Sequence, residues 1–424
     1  MTEQQQTMDI RPSRTTVTSF SSDENAMSYD SNGEFDNGVY ILQLASSSSS
    51  SSSSVAAPGA SSPVISCALS NQCISIYESS SLRQVRDLGK CHDGTIHDIC
   101  HFGTNGEFLA SCGGDGFVKI FDLRSSSTAP SLSFKTPKRD EEALSVAVGY
   151  DGVLAAVGVS KGSIHFYDVR NAAASNTSQP LGTYHDAHTD DVTRVRFQPS
   201  SPSSPLLASA SIDGLACIHD TSQSTEDAAL KSVLNVNGPI RDIGFFGPQY
   251  EGLFCVTTSE SLSLWHHESA QRIHDFGYDI RSHLSSLSNM DIHYLLGCQW
   301  QNDSPTKQQL NLIAGTANGE AAVFRVDGTS VHCMRKMSGG HKAPLRSFAW
   351  PSLPSLFSPP LFFTGGEDAR LIEWNLNAAT TNNTFRQRNT SATSRSTSSS
   401  TATPSKKGGG VARRKMRAGS TTPY

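Results

Sequence analysis

The sequence predicts an all-β protein, built as one closed ring of seven small sheets, and three observations carry that prediction. The first is a ring-bearing side chain that recurs along the 424 residues, at Tyr77, Phe121, Tyr167, His219, Trp265, Phe324 and Trp374. The spacings are 44, 46, 52, 46, 59 and 50 residues. The second is the texture around these positions: short β-branched or aromatic runs bounded by Gly, Asp, Asn, Ser or Pro, which read as strands and turns. No sustained helical period interrupts them. The third is size. Each unit holds only three or four short strands, too few to bury their apolar faces alone, and packing such units radially solves that as a seven-bladed β-propeller.

Bulk composition bounds the rest. Serine and threonine crowd both termini and the run of nine serines at 46–54, and removing these leaves about 340 residues of ordinary globular composition. That is ample for an apolar interior. The net charge of -5 is lopsided, because residues 378–424 carry nine basic side chains and no acidic one, leaving -14 on the rest. An acidic body with a short basic tail is not a nucleic-acid-binding domain in its own right. The first twenty residues lack the apolar run of a signal peptide, and no stretch approaches the ~20 apolar residues of a membrane span. The nine cysteines are scattered without a Cys-x-x-Cys pair, which reads as reduced thiols in a cytoplasmic or nuclear protein and makes the Asn176 sequon irrelevant.

Taken in order, residues 1–38 are expected to be mostly disordered, and the propeller to span 39–377. Blade 1 should use strands at 39–44, 64–69 and 73–77, with a loop over 45–63 that swallows the polyserine. Three later units align by eye: "HDGTIHDICHFGTNGEFLASCGGDGFVKIFD" from His92, "HTDDVTRVRFQPSSPSSPLLASASIDGLACIHD" from His188, and "HKAPLRSFAWPSLPSLFSPPLFFTGGEDARLIEWN" from His341. Each runs from His to an apolar segment ending in an aromatic, then to small residues, Asp and the ring position. Blade 7 lacks one strand after Trp374. "TTVTSF" at 15–20 can supply it and so pair the chain ends, removing open sheet edges; "TFRQR" after Asn383 is the alternative. Residues 378–424 read as a disordered basic tail.

This repeated unit resembles the WD40 repeat, although the Trp-Asp dipeptide itself is absent, its seven slots holding Tyr-Glu, Phe-Asp, Tyr-Asp, His-Asp, Trp-His, Phe-Arg and Trp-Asn. The resemblance implies that a His, a Ser or Thr, an Asp and the strand Trp bond in series within a blade. It places the full set on His341, Thr364, Asp368 and Trp374, and partial sets on His92, Ser111 and Asp115 and on His188, Ser209 and Asp213. The same residue types make a nucleophile–base–acid triad. Three copies at equivalent places argue for a structural frame instead.

Other motifs resemble chemistry. "GVSKG" at 158–162 has Gly-x-Ser-x-Gly spacing but falls at a strand-to-strand turn rather than a strand-to-helix elbow. "CHDGTIHDICH" at 91–101 has zinc-ligand residue types, yet on a strand at 96–102 His97 and Cys100 point to opposite faces. His185 and His188 of "HDAH" are assigned to the frame. "FDLR" and "YDVR" place Asp122, Arg124, Asp168 and Arg170 at the ends of two successive third strands. This resembles the Asp-x-Arg motif by which many WD-repeat proteins dock on the propeller adaptor of cullin-RING ubiquitin ligases. "KKGGGVARRKMR" places Lys406, Lys407, Arg413, Arg414, Lys415 and Arg417 in a pattern like a nuclear localisation signal.

The expected function is a non-catalytic, monomeric scaffold that binds other proteins or peptides, on a face where the loops beginning at His92, His188 and His341 carry Asp190, Asp191 and Lys342. No cofactor, metal or membrane enters this reading. The alternatives are a substrate receptor of a cullin-RING ubiquitin ligase and a nuclear RNA or ribosome-biogenesis factor, nucleic acid entering only through the tail. An enzyme would need acids, bases or ligands free of structural duty, and each candidate above has such a duty.

Overall fold

The chain begins with an element that belongs to its end. In the computed structural model, which describes residues 8–17, 38–47, 63–170, 179–199, 205–302, 308–351 and 361–376, strands β1 (Met8–Ile10) and β2 (Pro12–Val17) lie on the last two blades. Blade 1 follows as β3 (Ile41–Ser46), β4 (Val64–Leu69), β5 (Cys73–Glu78) and β6 (Gln84–Lys90). Blade 2 is β7 (Ile96–Phe102), β8 (Phe108–Gly113), β9 (Phe117–Asp122) and β10 (Leu132–Lys135). Blade 3 is β11 (Ala143–Gly149), β12 (Leu154–Val159), β13 (Ile164–Asp168) and β14 (Gly182–Tyr184). Blade 4 is β15 (Val192–Phe197), β16 (Leu206–Ser211), β17 (Leu215–Asp220) and β18 (Leu230–Asn235), with the short helix α1 (Glu226–Ala229) before its outer strand.

Blade 5 is β19 (Ile240–Phe246), β20 (Gly252–Thr257), β21 (Leu262–His266) and β22 (Gln271–Asp275). Helix α2 (Ile280–Ser288) leads into blade 6: β23 (Tyr294–Asn302), β24 (Gln308–Gly315), β25 (Ala321–Asp327) and β26 (Ser330–Met337). Blade 7 is β27 (Leu345–Ala349), β28 (Leu361–Gly366) and β29 (Arg370–Asn375), with β2 as its outer strand. Each innermost strand touches the next, and β27 touches β3, so the ring is closed. All seven ring-bearing residues sit on third strands, as the spacing requires.

The core lies between blades. Seven apolar clusters fill the seven junctions, each combining two neighbouring blades, as in Ala68, Ile74 and Leu88 against Ile96, Leu109 and Phe121. Because both faces of a blade are covered, middle strands such as β12 and β16 are buried along almost their whole length rather than at alternate residues. A second regularity is the same β-bulge near the start of every innermost strand, at Leu42, His97, Leu144, Thr193, Arg241, Leu296 and Arg346. A bulge bends its strand and re-aims a side chain, and here the pairs Leu42/Gln43, His97/Asp98, Arg241/Asp242 and Arg346/Ser347 at four of the bulges line the axial cavity.

Four expectations need correction. The closing strand is N-terminal, but it is β2 over Pro12–Val17 rather than 15–20, because Pro12 pairs opposite Trp374 and Val17 opposite Arg370; residues 18–20 and "TFRQR" lie outside the described residues. It is preceded by β1, a fifth strand added in parallel to blade 6 and anchored by the buried Ile10, so the propeller draws on residues before 39. The first innermost strand runs to Ser46, and Ser47 exchanges bonds with Val64; the polyserine loop therefore starts later than residue 45, and 48–62 lie outside the described residues. Finally, α2 is a helix with Ile280 and Leu284 buried one turn apart. Its serine-rich composition hid that stripe.

Candidate functional site

The described structure places the predicted frame residues together in all three blades. In blade 7, Trp374 Nε1 donates to Thr364 Oγ1 at 2.8 Å. Thr364 Oγ1 lies 2.8 Å from His341 Nε2, and His341 Nδ1 lies 2.9 Å from Asp368 Oδ1. The carboxylate only accepts, so Nδ1 carries a proton and donates to it, which leaves Nε2 of a neutral ring to accept from the threonine hydroxyl. Blade 2 repeats this with Ser111, His92 and Asp115 at 2.7 and 2.9 Å. Blade 4 repeats it with Ser209, His188 and Asp213 at 2.8 and 3.2 Å.

Each aspartate also accepts two backbone N–H groups, from the histidine's successor and from the start of the third strand. A frame thus ties the loop entering a blade to the turn between its second and third strands. Burial raises the Asp115 pKa, but the bonds and charge of His92 and the two N–H groups outweigh it, leaving about 2. Asp213 and Asp368 are lowered by the same balance. His188 moves down, burial outweighing the pull of Asp213. Ser111, Ser209 and Thr364 are completely buried, so no substrate carbonyl can reach the hydroxyls. The chemistry this geometry performs is bracing.

Sequence reasoning missed a fourth polar set. In blade 3 the connector supplies Glu141 and the third strand supplies His165; their side chains meet at 2.9 Å, and His165 Nδ1 lies 3.0 Å from Thr183 Oγ1. Burial raises the Glu141 pKa, yet His165 and Lys138 bring it below the ordinary carboxylate value. The partners come in reversed chain order, His after Glu, so the repeat template could not find them. His185 does not belong to a frame: it is exposed, and among the described residues only its backbone N–H is held, by Glu226.

The other chemistry-like motifs dissolve into structure. Ser160 of "GVSKG" accepts the Glu142 N–H, and Lys161 adopts φ 69° at a turn between two strands. His97 pairs with Glu142 across the blade junction at 3.3 Å. Burial pushes the Cys100 thiol up to about 12. His101 bridges Ser66 and the Gly106 carbonyl, and burial pulls it down to about 4.

Two loop faces follow from the connectivity. Frame histidines and the turns after second strands share one face, with Asp190, Asp191 and Lys342. The turns after first and third strands share the other, where Leu123 N–H bonds the Glu107 carbonyl. There Asp122 accepts the backbone N–H of Arg124 and two bonds from its guanidinium at 2.9 and 2.8 Å. Asp168 and Arg170 repeat the arrangement at 3.1 and 3.0 Å. Asp220 likewise caps the turn of blade 4, accepting the Ser222 N–H. The aspartates therefore have a turn-making role, while the arginine side chains stay exposed at 62% and 65%. Arg124 also stacks over Phe108, 4.8 Å from its centroid. Lys406, Lys407, Arg413, Arg414, Lys415 and Arg417 lie outside the described residues.

The bulges build a girdle round the axis. Ser347 accepts the Leu44 N–H at 2.9 Å, Ser145 accepts the Val195 N–H at 3.2 Å, and Asp98 accepts the Val146 N–H at 3.3 Å, each bond joining one blade to the next. Arg196 reaches Asp98 at 3.0 Å, and Arg194 spans Asp98 and Asp242 at 3.5 and 3.1 Å. Burial raises the Asp98 pKa, but Arg196, Arg194 and Ser145 bring it net down. Arg241 donates to the Leu295 carbonyl at 2.6 Å.

Comparison with known proteins agrees with this architecture. The family model described as "WD domain, G-beta repeat" matches residues 82–122 and 178–220. A WD repeat-containing protein 89 homolog of Dictyostelium discoideum is 29% identical over 75% of this chain and 82% of its own length. WD repeat-containing protein GTS1 of Arabidopsis thaliana is 30% identical over 75% of this chain and 79% of its own. A chain in a crystal structure of the mitotic checkpoint complex superposes with a TM-score of 0.61 at 14% identity, covering 88% of this chain and 94% of that one. That last likeness speaks to fold alone.

Proposed function

Because the chain belongs to the WD-repeat family, we propose that it is a non-catalytic scaffold whose two loop faces bind other proteins. One observation carries this reading: the residues that resemble catalytic groups are buried and spent within blades. A rigid ring with two sets of connecting loops remains, and loops on a rigid frame are where binding residues concentrate. The test is cross-linking mass spectrometry in cells, with surface charges reversed on one face at a time. Distinct partner sets lost from each face are expected; an unchanged set for both faces removes the proposal.

A narrower reading is favoured by Arg124 and Arg170. We propose that these two arginines dock the propeller on the adaptor of a cullin-RING ubiquitin ligase. Support comes from their shared face, their exposure and their carboxylate-held forks, which lower the entropy lost on meeting an acidic surface. Co-purification with the adaptor should collapse in the Arg124→Ala/Arg170→Ala double variant. No co-purification with the unaltered chain ends this reading and leaves the broader one standing. Nuclear import through Lys406–Arg417 is likewise proposed, and unchanged localisation after removal of residues 405–424 would end it.

A further inference from the structure

Charge also gathers at the axis. A cavity of about 770 Å³ runs between the innermost strands, and its charged lining includes Arg194, Arg196, Arg241 and Arg346 against only Asp98 and Asp242. This arginine cluster stands in a propeller body whose overall charge is negative. We propose that the cavity is a binding site for a phosphate group, gripped by Arg196, Arg241 and Arg346 from three different blades.

The two aspartates are already committed. Asp98 takes Arg196, Arg194, Ser145 and backbone N–H groups, and Asp242 takes Arg194. The arginines are not. Arg196 makes its side-chain bonds through Nη1 alone, so Nε and Nη2 remain unspent among the described residues, with the side chain 32% exposed. Arg241 spends Nη2 on the Leu295 carbonyl and approaches Glu260 only at 3.7 Å; its Nε has no hydrogen-bond partner. Arg346 spends Nε and Nη2 on Glu367, so its Nη1 remains unspent among the described residues, with the side chain 56% exposed. A second orphaned donor, Trp300 Nε1, belongs to the same lining.

Guanidinium groups approaching from three blades suit a tetrahedral oxyanion better than a planar carboxylate, since each fork can engage a separate edge of the phosphate. Phe197, Phe245 and Phe348 also belong to the lining and offer apolar contact to whatever carries the phosphate. The volume lies within the ~300–1,000 Å³ typical of ligand pockets and far exceeds one phosphate. The group therefore arrives as part of something larger, a phosphorylated side chain of a peptide or a small polyphosphate. The site does not depend on the scaffold reading.

The test is calorimetric titration of the full chain with inorganic pyrophosphate and with a phosphoserine pentapeptide. At least one should saturate, and Arg241→Ala/Arg346→Ala should weaken it at least tenfold, while Lys231→Ala on an outer strand leaves it unchanged. Arg346→Lys, which keeps the charge but not the fork, should fall between. Tighter binding of the peptide assigns the phosphate to a protein partner; tighter binding of pyrophosphate assigns it to a free ligand. Should the double variant fail to fold, the indole N–H resonance of Trp300, assigned through Trp300→Phe, must still shift as the bound probe saturates. Absence of saturation by both probes, or equal affinity in the arginine variant, overturns the proposal.

Discussion

Truncating Ile10 to alanine should destabilise the propeller by an amount that its burial sets. Ile10 is 1% exposed and packs with Met337, Leu345, Phe362 and Trp374, bridging blades 6 and 7. Removing three carbons forfeits roughly 2.4 kcal/mol of transfer energy at ~0.8 per methylene, and the cavity left behind brings the total to about 2–5 kcal/mol. With an unfolding entropy of roughly 2.1 cal/mol/K per residue, a ring of about 340 residues loses ~1.4 °C of melting temperature per kcal/mol, so a fall of about 3–7 °C is expected. Deleting residues 1–17 should cost more. It removes the β1 and β2 ladders and leaves β29 as an open edge beside Trp374. Thermal unfolding at one fixed heating rate reads both effects, and size-exclusion chromatography reads the self-association an exposed edge invites. Deletion of residues 1–7, which spares both strands, is the control. If the 1–17 deletion melts within about 1 °C of the full chain and stays monodisperse, the clasp is not what closes the ring.

Thr364→Val should cost about 1–3 kcal/mol, because the Trp374 indole and His341 Nε2 lose their shared partner while buried; urea denaturation with an unchanged slope would check it. Gly162→Ala should be comparably damaging, since φ is 89° and a Cβ would collide with the His188 carbonyl oxygen; a melt unchanged from wild type would contradict that contact. Acid should unfold the protein in two stages. Burial holds His101 and His219 down to about 4, so the unfolded chain takes up their protons first and stability falls as pH drops from ~6.5 to ~4. Asp115, at about 2 when folded, extends the loss as pH falls from its ordinary value towards 2. His219→Phe should remove one proton from the first stage, flattening the slope by up to ~1.36 kcal/mol per pH unit. An unaltered acid profile in that variant would show that His219 is not held neutral.

The ring was legible because a ring-bearing side chain recurs on the third strand of every blade, and that recurrence survives where the Trp-Asp signature does not. The strands around them were legible for the same reason that their ends were not. Alternation and turn residues mark where a strand lies, but pairing partners decide where it stops. Ser46 and Ser47 look like the start of a linker, yet Ser46 is strand because Ile65 sits opposite, and Ser47 is tied to Val64 just beyond it. β1 carried no signal, three residues being too few for a period, and only the groove between blades 6 and 7 explains why Ile10 is there.

The frames were legible through repetition, and the axial girdle was not, although both are chains of buried polar bonds. A frame lies within one blade, so its members keep their chain order in each of the three copies, with the Asp always four residues after the Ser or Thr. The girdle joins different blades, and its residues at the matching position are Gln43, Asp98, Ser145, Arg194, Asp242, Gly297 and Ser347, with no type shared by all seven. Each is chosen against its neighbour: Gly297 leaves room for Asp242, whose carboxylate oxygen would lie 2.9 Å from a Cβ there. A template derived from one repeat averages over that pairing and erases it. What individualises this propeller is therefore written across the ring, where the cavity's arginines stand, and the repeated part of the sequence encodes only the frame that holds them.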